Sequence, residues 1–205
     1  MNKLATSLAV IALACTSLAA QAQQEGNWLV RARAVNLDSA NGGSTNPDLK
    51  LSVNNKVIPE LDISYFITPN IAAELILTYP QSHDIKSNDV KIGTLKHLPP
   101  TLSLQYHFIP TGTFRPYVGL GVNYTNFSEV KFDAAVDTAL HPSIKHSSWG
   151  LSAQIGADIQ IAKNWYLNVD VKKVQIGTKV YSNGTEVGDF KVDPLLIGVG
   201  IGTRF

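Results

Sequence analysis

The chain has 205 residues, of which 44% are hydrophobic and 16% are charged. This length predicts one domain, or one domain with a tail. Without Lys3, 16 basic residues oppose 16 acidic ones. Nucleic-acid phosphates need a clustered excess of positive charge, so this balance excludes a nucleic-acid partner.

The first 22 residues, MNKLATSLAVIALACTSLAAQA, have the features of a secretory signal peptide. Lys3 supplies a positive first region, residues 4–14 are mostly apolar, and residues 20–22 form an A-Q-A cleavage motif. Cys15 leaves a lipoprotein as an alternative, although the usual leucine three positions earlier is missing. We predict a signal peptide over 1–22 and cleavage before Gln23.

The mature chain, residues 23–205, then contains no cysteine, so neither disulfides nor thiolate chemistry are available to it. It also contains no run of about 18 apolar residues that would predict a membrane-spanning helix. Two classes remain: a soluble protein, or a closed barrel that crosses a membrane with strands.

Eight segments of the mature chain alternate between large apolar residues and small or polar ones, the period of a β-strand. They are WLVRARAV (28–35), PELDISY (59–65), IAAELILTY (71–79), TLSLQYHF (101–108), YVGLGVNY (117–124), WGLSAQIGADIQI (149–161), WYLNVDVK (165–172) and LLIGVGIGTRF (195–205).

The connections between these segments alternate in length. ITPN, IPTGT and AKN are short, whereas the other four connections are long and polar, and one of them contains the turn signal Asn183-Gly184. Short turns on one rim and long loops on the other are typical of outer-membrane barrels, and they place both termini on the periplasmic rim. We therefore predict an all-β fold, an eight-stranded antiparallel transmembrane β-barrel.

Aromatic residues near the strand ends support this interpretation, since two interfacial belts would lie there. The alternative is a soluble lipocalin-like barrel with an apolar interior. Its exterior would need more charge than these strands carry, because glycine and serine dominate one face of 149–161 and of 195–205. The last strand ends on Phe205, and this aromatic end resembles the signal read by the barrel-assembly machinery of the outer membrane.

Two longer motifs carry a resemblance to a known family. GTLKHLPPTLSLQYHF (93–108) resembles the central signature of the outer-membrane protein W family (OmpW and AlkL), and FRPYVGLGVNYTNF (114–127) resembles the segment that follows it. The resemblance implies an outer-membrane channel for passive uptake of small hydrophobic molecules. It also implies a lumen blocked toward the periplasm and lateral release of the cargo into the bilayer.

Alternation places ten charged residues inside the barrel, five cationic and five anionic. Buried charges need partners, and the interior of eight strands is only wide enough for side chains to fill it. The sequence therefore predicts an ionic plug in the lower lumen, made of Arg31, Arg33, Glu60, Asp62, Glu74, Arg115, Asp158, Asp170, Lys172 and Arg204. The resemblance to the family implies an inward apolar or aromatic residue low in the channel, and Lys172 departs from it.

The upper lumen has apolar candidates for lining a channel: Ile76, Leu95 and Leu98. Packing of the loops against one another would explain them equally well. Pro99 and Pro100 lack the N–H groups that pair neighbouring strands, so they predict a weak lateral seam. The alternative is that they simply begin the strand.

The sequence contains little that indicates a catalytic site. Ser103 and His107 share a strand face but lie about 13 Å apart along an extended strand, too far for a nucleophile and its base. His141 and His146 have poor spacing for a metal. We predict no enzyme, cofactor or metal, and expect outer-membrane lipids, small hydrophobic solutes and the assembly machinery as partners. A structural or surface-interaction barrel, whose loops bind other proteins, is the alternative function.

Overall fold

A computed structural model describes residues 26–205, so the predicted signal peptide lies outside the described residues. Within this range, eight strands form a barrel, and seven further strands and one helix extend it. The barrel strands are β1 (Trp28–Asp38), β4 (Lys56–Phe66), β5 (Ile71–Leu77), β8 (Thr101–His107), β9 (Phe114–Phe132), β11 (Ser147–Ala162), β12 (Trp165–Val174) and β15 (Leu195–Arg204). The others are β2 (Gly42–Thr45), β3 (Leu51–Val53), β6 (Gln81–Ser87), β7 (Val90–Leu98), β10 (Pro142–Ile144), β13 (Gly177–Ser182), β14 (Thr185–Lys191) and the helix α1 (Ala134–Leu140).

The barrel closes because each of its strands pairs with two barrel neighbours. The order runs β1, β4, β5, β8, β9, β11, β12, β15 and back to β1, and every pairing is antiparallel. Closure removes the unpaired edges that an open sheet would expose to lipid. The predicted fold class is confirmed.

The outer surface of the barrel is apolar and the inner surface is not. Leu120 and Trp149 are 72% and 74% exposed on the outside, whereas Arg31 and Asp62 are fully buried inside. Aromatic side chains pack in tilted pairs near both rims. Trp28 contacts Tyr65 on the side of the short turns and Tyr124 contacts Trp149 on the other side, with ring centroids 4.9 Å apart in each pair. These pairs mark the two membrane interfaces.

No helix within residues 26–205 is long and apolar enough to span a membrane.

The long connections form sheet structure where the sequence predicts only loops. β9 continues beyond the predicted end at Tyr124 and pairs with β7, which pairs with β6. A second sheet contains β10, β13, β14 and β2, and Asn183-Gly184 forms its predicted hairpin turn, with both residues at positive φ. Polar residues and glycines interrupt the apolar residues of these segments, so their alternation gives little signal. We call this part of the molecule the extracellular extension.

The two ends of the described chain meet at the rim of the short turns. The Trp28 N–H donates to the Phe205 carbonyl over 3.0 Å, and the Phe205 N–H donates to the Trp28 carbonyl over 2.9 Å. The Phe205 backbone therefore helps to close the barrel, whereas its side chain is only half-buried. This separation allows the two contributions to be tested independently.

We expect Phe205→Ala to reduce insertion into the outer membrane strongly while it changes the stability of the refolded barrel by only about 1–2 kcal/mol. The substitution keeps both backbone hydrogen bonds and removes only the aromatic signal. Barrel abundance in cells and urea unfolding in detergent measure the two effects. Phe108→Ala, which removes an exposed aromatic at the same rim, should insert normally. Equal losses of insertion and stability in Phe205→Ala would contradict a targeting role.

Candidate functional site in the barrel lumen

All ten charged side chains that alternation directs inward are buried in the structure, each less than 9% exposed. They lie at two levels. Eight of them form two ion-paired sets, one around Arg31 and one around Arg33, and Asn168 joins the sets by accepting from Arg33 and donating to Asp158. We call these eight residues the ionic plug. Its members are Arg31, Arg33, Glu60, Asp62, Glu74, Asp158, Asp170 and Lys172.

Arg31 connects three other strands to β1. Its Nε and Nη2 donate to the two oxygens of Asp158 over 2.9 and 2.7 Å. Its Nη1 donates to Ser64 over 3.0 Å and to Glu74 over 3.3 Å. The bidentate pair fixes the plane of the guanidinium as well as its position. Arg31 thus ties β1 to β4, β5 and β11.

Arg33 lies two residues further along β1 and contacts three carboxylates. Its Nη2 donates to Glu60 over 2.6 Å, and its Nη1 lies 3.4 Å from Asp170. The Nε atom is 2.8 Å from Asp62, an ion pair without the alignment of a hydrogen bond. Lys172 adds contacts of 3.4 Å to Glu60 and 3.9 Å to Asp170. Arg33 and Lys172 therefore share the carboxylates of Glu60 and Asp170.

Uncharged side chains complete the plug, and the sequence analysis does not single them out. Asn168 donates to Asp158 and to the Tyr117 hydroxyl over 2.9 and 3.1 Å, and that hydroxyl donates to Asp170 over 3.0 Å. Gln154 donates to Glu74 over 2.6 Å. Each lies on the inward face of its strand, so alternation could have identified them as second partners for the charges.

Arg115 and Arg204 occupy a lower level than the plug. Arg115 donates to the Gly112 carbonyl over 2.9 Å and lies over the Tyr166 ring. Arg204 donates to the Gly26 carbonyl over 2.8 Å, and it also lies over an aromatic ring. Both arginines contact the turns and chain end of the periplasmic rim.

The glycine face of β15 lies against the two central arginines. A Cβ atom at Gly200 would be 2.7 Å from Cγ of Arg33, and one at Gly202 would be 2.8 Å from Cγ of Arg31. Real Cβ atoms do not approach other carbon atoms so closely. The absence of side chains on this face therefore gives both guanidinium groups room to cross the lumen.

An apolar cleft lies directly above the plug. Its floor is formed by Lys172 and Glu60, and Ile76, a predicted lining residue, is one of its walls. The whole lining is Leu37, Ile58, Glu60, Ile76, Thr78, Pro99, Thr101, Asn123, Lys172, Val174, Ile176, Pro194 and Leu196. The buried Lys172 is thus the floor of an apolar compartment.

Packed apolar side chains line the cleft and continue from the upper barrel into the extracellular extension. We call them the upper apolar cluster. Leu95, a predicted lining residue, belongs to it, whereas Leu98 is half-buried on the opposite face of β7. The buried members are Val35, Leu37, Val53, Ile58, Ile85, Leu95, Phe127, Val174, Ile176, Val180, Phe190, Val192 and Leu196.

An open basin of about 490 Å³ lies at the outer end of the extension. Its lining is mostly polar, but it includes Leu51 and Phe190, and Phe190 is also part of the upper apolar cluster. Apolar side chains therefore connect the basin to the cleft.

The wall of the barrel is interrupted beside the cleft. The ladder between β5 and β8 ends at the pair Ile76 and Thr101, and the ladder between β6 and β7 begins at the pair Gln81 and His97. No strand pairing joins residues 77–80 to residues 98–100. We call this interval the window. Thr78 and Pro99 lie on its two sides, and both line the cleft.

The other side of the double proline is closed. The Tyr124 N–H donates to the Pro100 carbonyl over 3.1 Å, and the Asn123 side chain donates to the carbonyls of Pro99 and Pro100 over 3.2 and 3.1 Å. In this antiparallel pair an N–H at position 100 would point to Tyr124. Backbone N–H groups of successive residues point to opposite sides of a strand, so an N–H at position 99, which Pro99 lacks, would point toward the window.

Two buried histidines lie at the upper edge of the window, beyond the outer aromatic pair. The rings of His83 and His97 stack with centroids 4.6 Å apart, and each residue is 1% exposed. Burial lowers the pKa of His97 to about 3, and His83 and Lys56 add to this effect. Burial also lowers the pKa of His83. Both rings are therefore neutral around pH 7.

These observations define a closed transmembrane barrel of the outer-membrane type, with a plugged lumen, an apolar compartment above the plug and a break in the wall beside it. The chain belongs to the OmpW family, whose model matches residues 24–205. The resemblance inferred from the sequence is confirmed. The protein is an outer-membrane protein, as the relatives' names and structures support.

Two relatives and one solved structure illustrate this membership. The chain is 34% identical to outer membrane protein W of Vibrio cholerae over all of both chains. It is 29% identical to outer membrane protein AlkL of Ectopseudomonas oleovorans, over 78% of this chain and 70% of the relative. The crystal structure of OprG from Pseudomonas aeruginosa superposes with a TM-score of 0.80 and 26% identity, over 89% of this chain and 97% of OprG.

We expect Arg33→Met to lower the free energy of unfolding by about 3–5 kcal/mol, because it leaves three buried carboxylates with Lys172 as their remaining cation at this level. Urea unfolding in lipid vesicles, followed by tryptophan fluorescence, measures the change. Lys191→Met is the control, since its contact of 3.8 Å to Asp189 is exposed and should matter little. Equal effects of both substitutions would contradict a stabilising plug.

We expect local opening of β6 and β7 to become easier as the pH falls from about 6.5 toward 3. In the opened state both histidines regain ordinary pKa values and bind protons that the closed state excludes. The opening free energy should fall by up to about 1.4 kcal/mol per pH unit over this range because of His97, and His83, whose pKa is also lowered, should add to the fall. Hydrogen exchange of the β6 and β7 amides, corrected for intrinsic rates, measures it. His97→Phe should show a smaller slope, and a flat profile in the unaltered protein would contradict the assignment.

Proposed function

We propose that the protein takes up small hydrophobic molecules passively across the outer membrane and releases them sideways into the bilayer. The observation that carries this proposal is the position of the window. It lies beside the apolar cleft and above the ionic plug, so an exit through the unpaired part of the wall would leave the cleft at the level where the direct way down is blocked.

The plug supports lateral release because it disfavours passage straight through the barrel. An apolar molecule that entered this level would have to separate Arg31 and Arg33 from their carboxylates in a medium of low dielectric constant. Uncompensated buried charges cost several kcal/mol each. An apolar solute offers no groups that replace the lost contacts.

The upper apolar cluster supports entry from outside. Its contacts are non-directional, so a solute that parts these side chains regains much of the lost contact with its own surface. The route leads from the basin beside Phe190, through the cluster, to Ile76 in the cleft and then to the window. Membership of the OmpW family agrees with this route, since the family resemblance implies a small apolar cargo.

A reversible cross-link between the two sides of the window, which we call the latch, tests lateral release. Extension of the Ile76–Thr101 register places residues 78 and 99 opposite each other. The double variant Thr78→Cys, Pro99→Cys, oxidised or joined by a short bifunctional thiol reagent, should lower the uptake of radiolabelled naphthalene to the level of cells without the protein. Reduction of the oxidised form should restore uptake, because it reopens the window without any other change.

The matched control joins the barrel at the same height on another seam. Ser148 and Thr125 are direct partners in the β9–β11 ladder and both are buried inside, so a link between cysteines at these positions should leave uptake unchanged. Normal uptake through a latched window would exclude this exit. Uptake that never depends on the protein would exclude transport altogether and favour the surface-interaction barrel.

A further inference from the structure

Three polar side chains form the upper border of the window. Gln81 and His97 are the first pair of the β6–β7 ladder, and His83 lies two residues beyond Gln81 on the same face of β6. All three point into the lumen and are at most 1% exposed. Leu95 lies above them and Pro99 below them on the inward face. We call these three residues the histidine–glutamine cluster.

Each member of the cluster has a buried polar atom without a partner in the protein. His83 Nδ1 lies 2.9 Å from the Asn54 carbonyl, which only accepts, so the neutral ring carries its proton on Nδ1 and presents a lone pair on Nε2. The Gln81 amide donates to the Tyr79 carbonyl over 3.1 Å, which leaves Oε1 as an acceptor. Neither this oxygen nor the Nε2 atoms of His83 and His97 contact a hydrogen-bonding group.

The charges around the cluster select against ionic ligands. Lys56 is close enough to lower the pKa of both histidines, and the same positive charge disfavours a bound cation. The two rings stay neutral and Gln81 has no charge, so none of the three side chains can balance an anion, and the negative charge of Asp84 near His83 offsets part of the field of Lys56. Within residues 26–205 no group of three potential metal ligands was found. An uncharged hydrogen-bond donor is the chemistry that fits.

We propose that the histidine–glutamine cluster recognises the hydroxyl or N–H group of small, uncharged, amphipathic solutes as they pass to the window. This inference rests on the proposed function and narrows its substrate class. The apolar part of such a solute lies among the side chains of the upper apolar cluster and the cleft, while its donor pairs with Oε1 of Gln81 or Nε2 of His83, and Nε2 of His97 borders the same site. Pure hydrocarbons would find the same apolar surface without the hydrogen bond.

A pair of matched probes tests recognition directly. 2-Naphthol carries a hydroxyl donor, whereas 2-methoxynaphthalene has nearly the same shape and no donor. With histidine labelled by ¹⁵N in lipid nanodiscs, we expect 2-naphthol to shift the Nε2 signals of His83 and His97 and to leave His107, buried near the periplasmic rim, unchanged. Equal shifts by both probes, or none by 2-naphthol, would overturn the proposal.

Uptake by cells provides the second measurement. One hydrogen bond changes a rate or an affinity by about two- to tenfold, so His97→Phe should lower the protein-dependent ratio of 2-naphthol to 2-methoxynaphthalene uptake by this factor. The substitution keeps the ring stack with His83. Gln81→Leu is a second variant with the same expected direction, and His107→Phe is the control that should keep the ratio.

The outcomes separate this proposal from the proposed function. If both solutes still enter through the protein but neither variant changes their ratio, the proposed recognition site is wrong and the proposed channel function is retained. If neither solute enters through the protein, the proposed function fails, and the nitrogen signals alone decide whether the cluster binds a donor.

Discussion

Two arginines on one strand hold the lumen of this barrel together. Arg31 and Arg33 project from β1 and form ion pairs with carboxylates on β4, β5, β11 and β12. Their partners are up to 137 residues away in sequence, the separation of Arg33 and Asp170, so these contacts form only when the sheet has curved into a closed cylinder. The bidentate geometry then fixes how the opposite walls face each other.

The position of this ionic layer divides the interior into compartments. Below it, Arg115 and Arg204 contact the turns and the chain end at the periplasmic rim. Above it the interior is lined mainly by apolar side chains, and Lys172 lies at the boundary between the ionic plug and the apolar cleft. A cleft that ends on a floor of paired charges has only its side walls as an exit, and one of these walls lacks strand pairing between residues 77–80 and 98–100.

Strand alternation predicts which side chains enter the lumen but not which ones meet there. Arg31 and Asp158 both lie on inward faces, and each could have paired with several other residues of opposite charge. The pairing depends on the stagger of the strands, which a single sequence does not specify. Alternation also places uncharged residues such as Asn168 and Tyr117 on the inward faces, but it does not show which charges they contact, because that depends on the same stagger.

The strands of the extracellular extension are the elements that the sequence predicts least well. β6 and β7 direct polar or small residues such as Gln81, His83, Gly93 and His97 inward, so they lack the apolar period that identifies a buried strand. Their burial comes from the sheet around them rather than from their own hydrophobicity. The double proline was visible in the sequence, but only the ladder registers show that the gap lies on the β5–β6 side rather than toward β9.

Under the proposed lateral release, the height of the window also sets the depth at which a solute enters the lipid. Tyr79 lies within this interval and is more than half exposed, and aromatic residues of this kind mark the boundary between head groups and acyl chains. A molecule that leaves there enters the outer leaflet near its surface and still has to cross most of the hydrocarbon layer by diffusion. The solute then crosses the rest of the membrane through the lipid. The rate of this second step depends on the fluidity of the bilayer and not on the barrel.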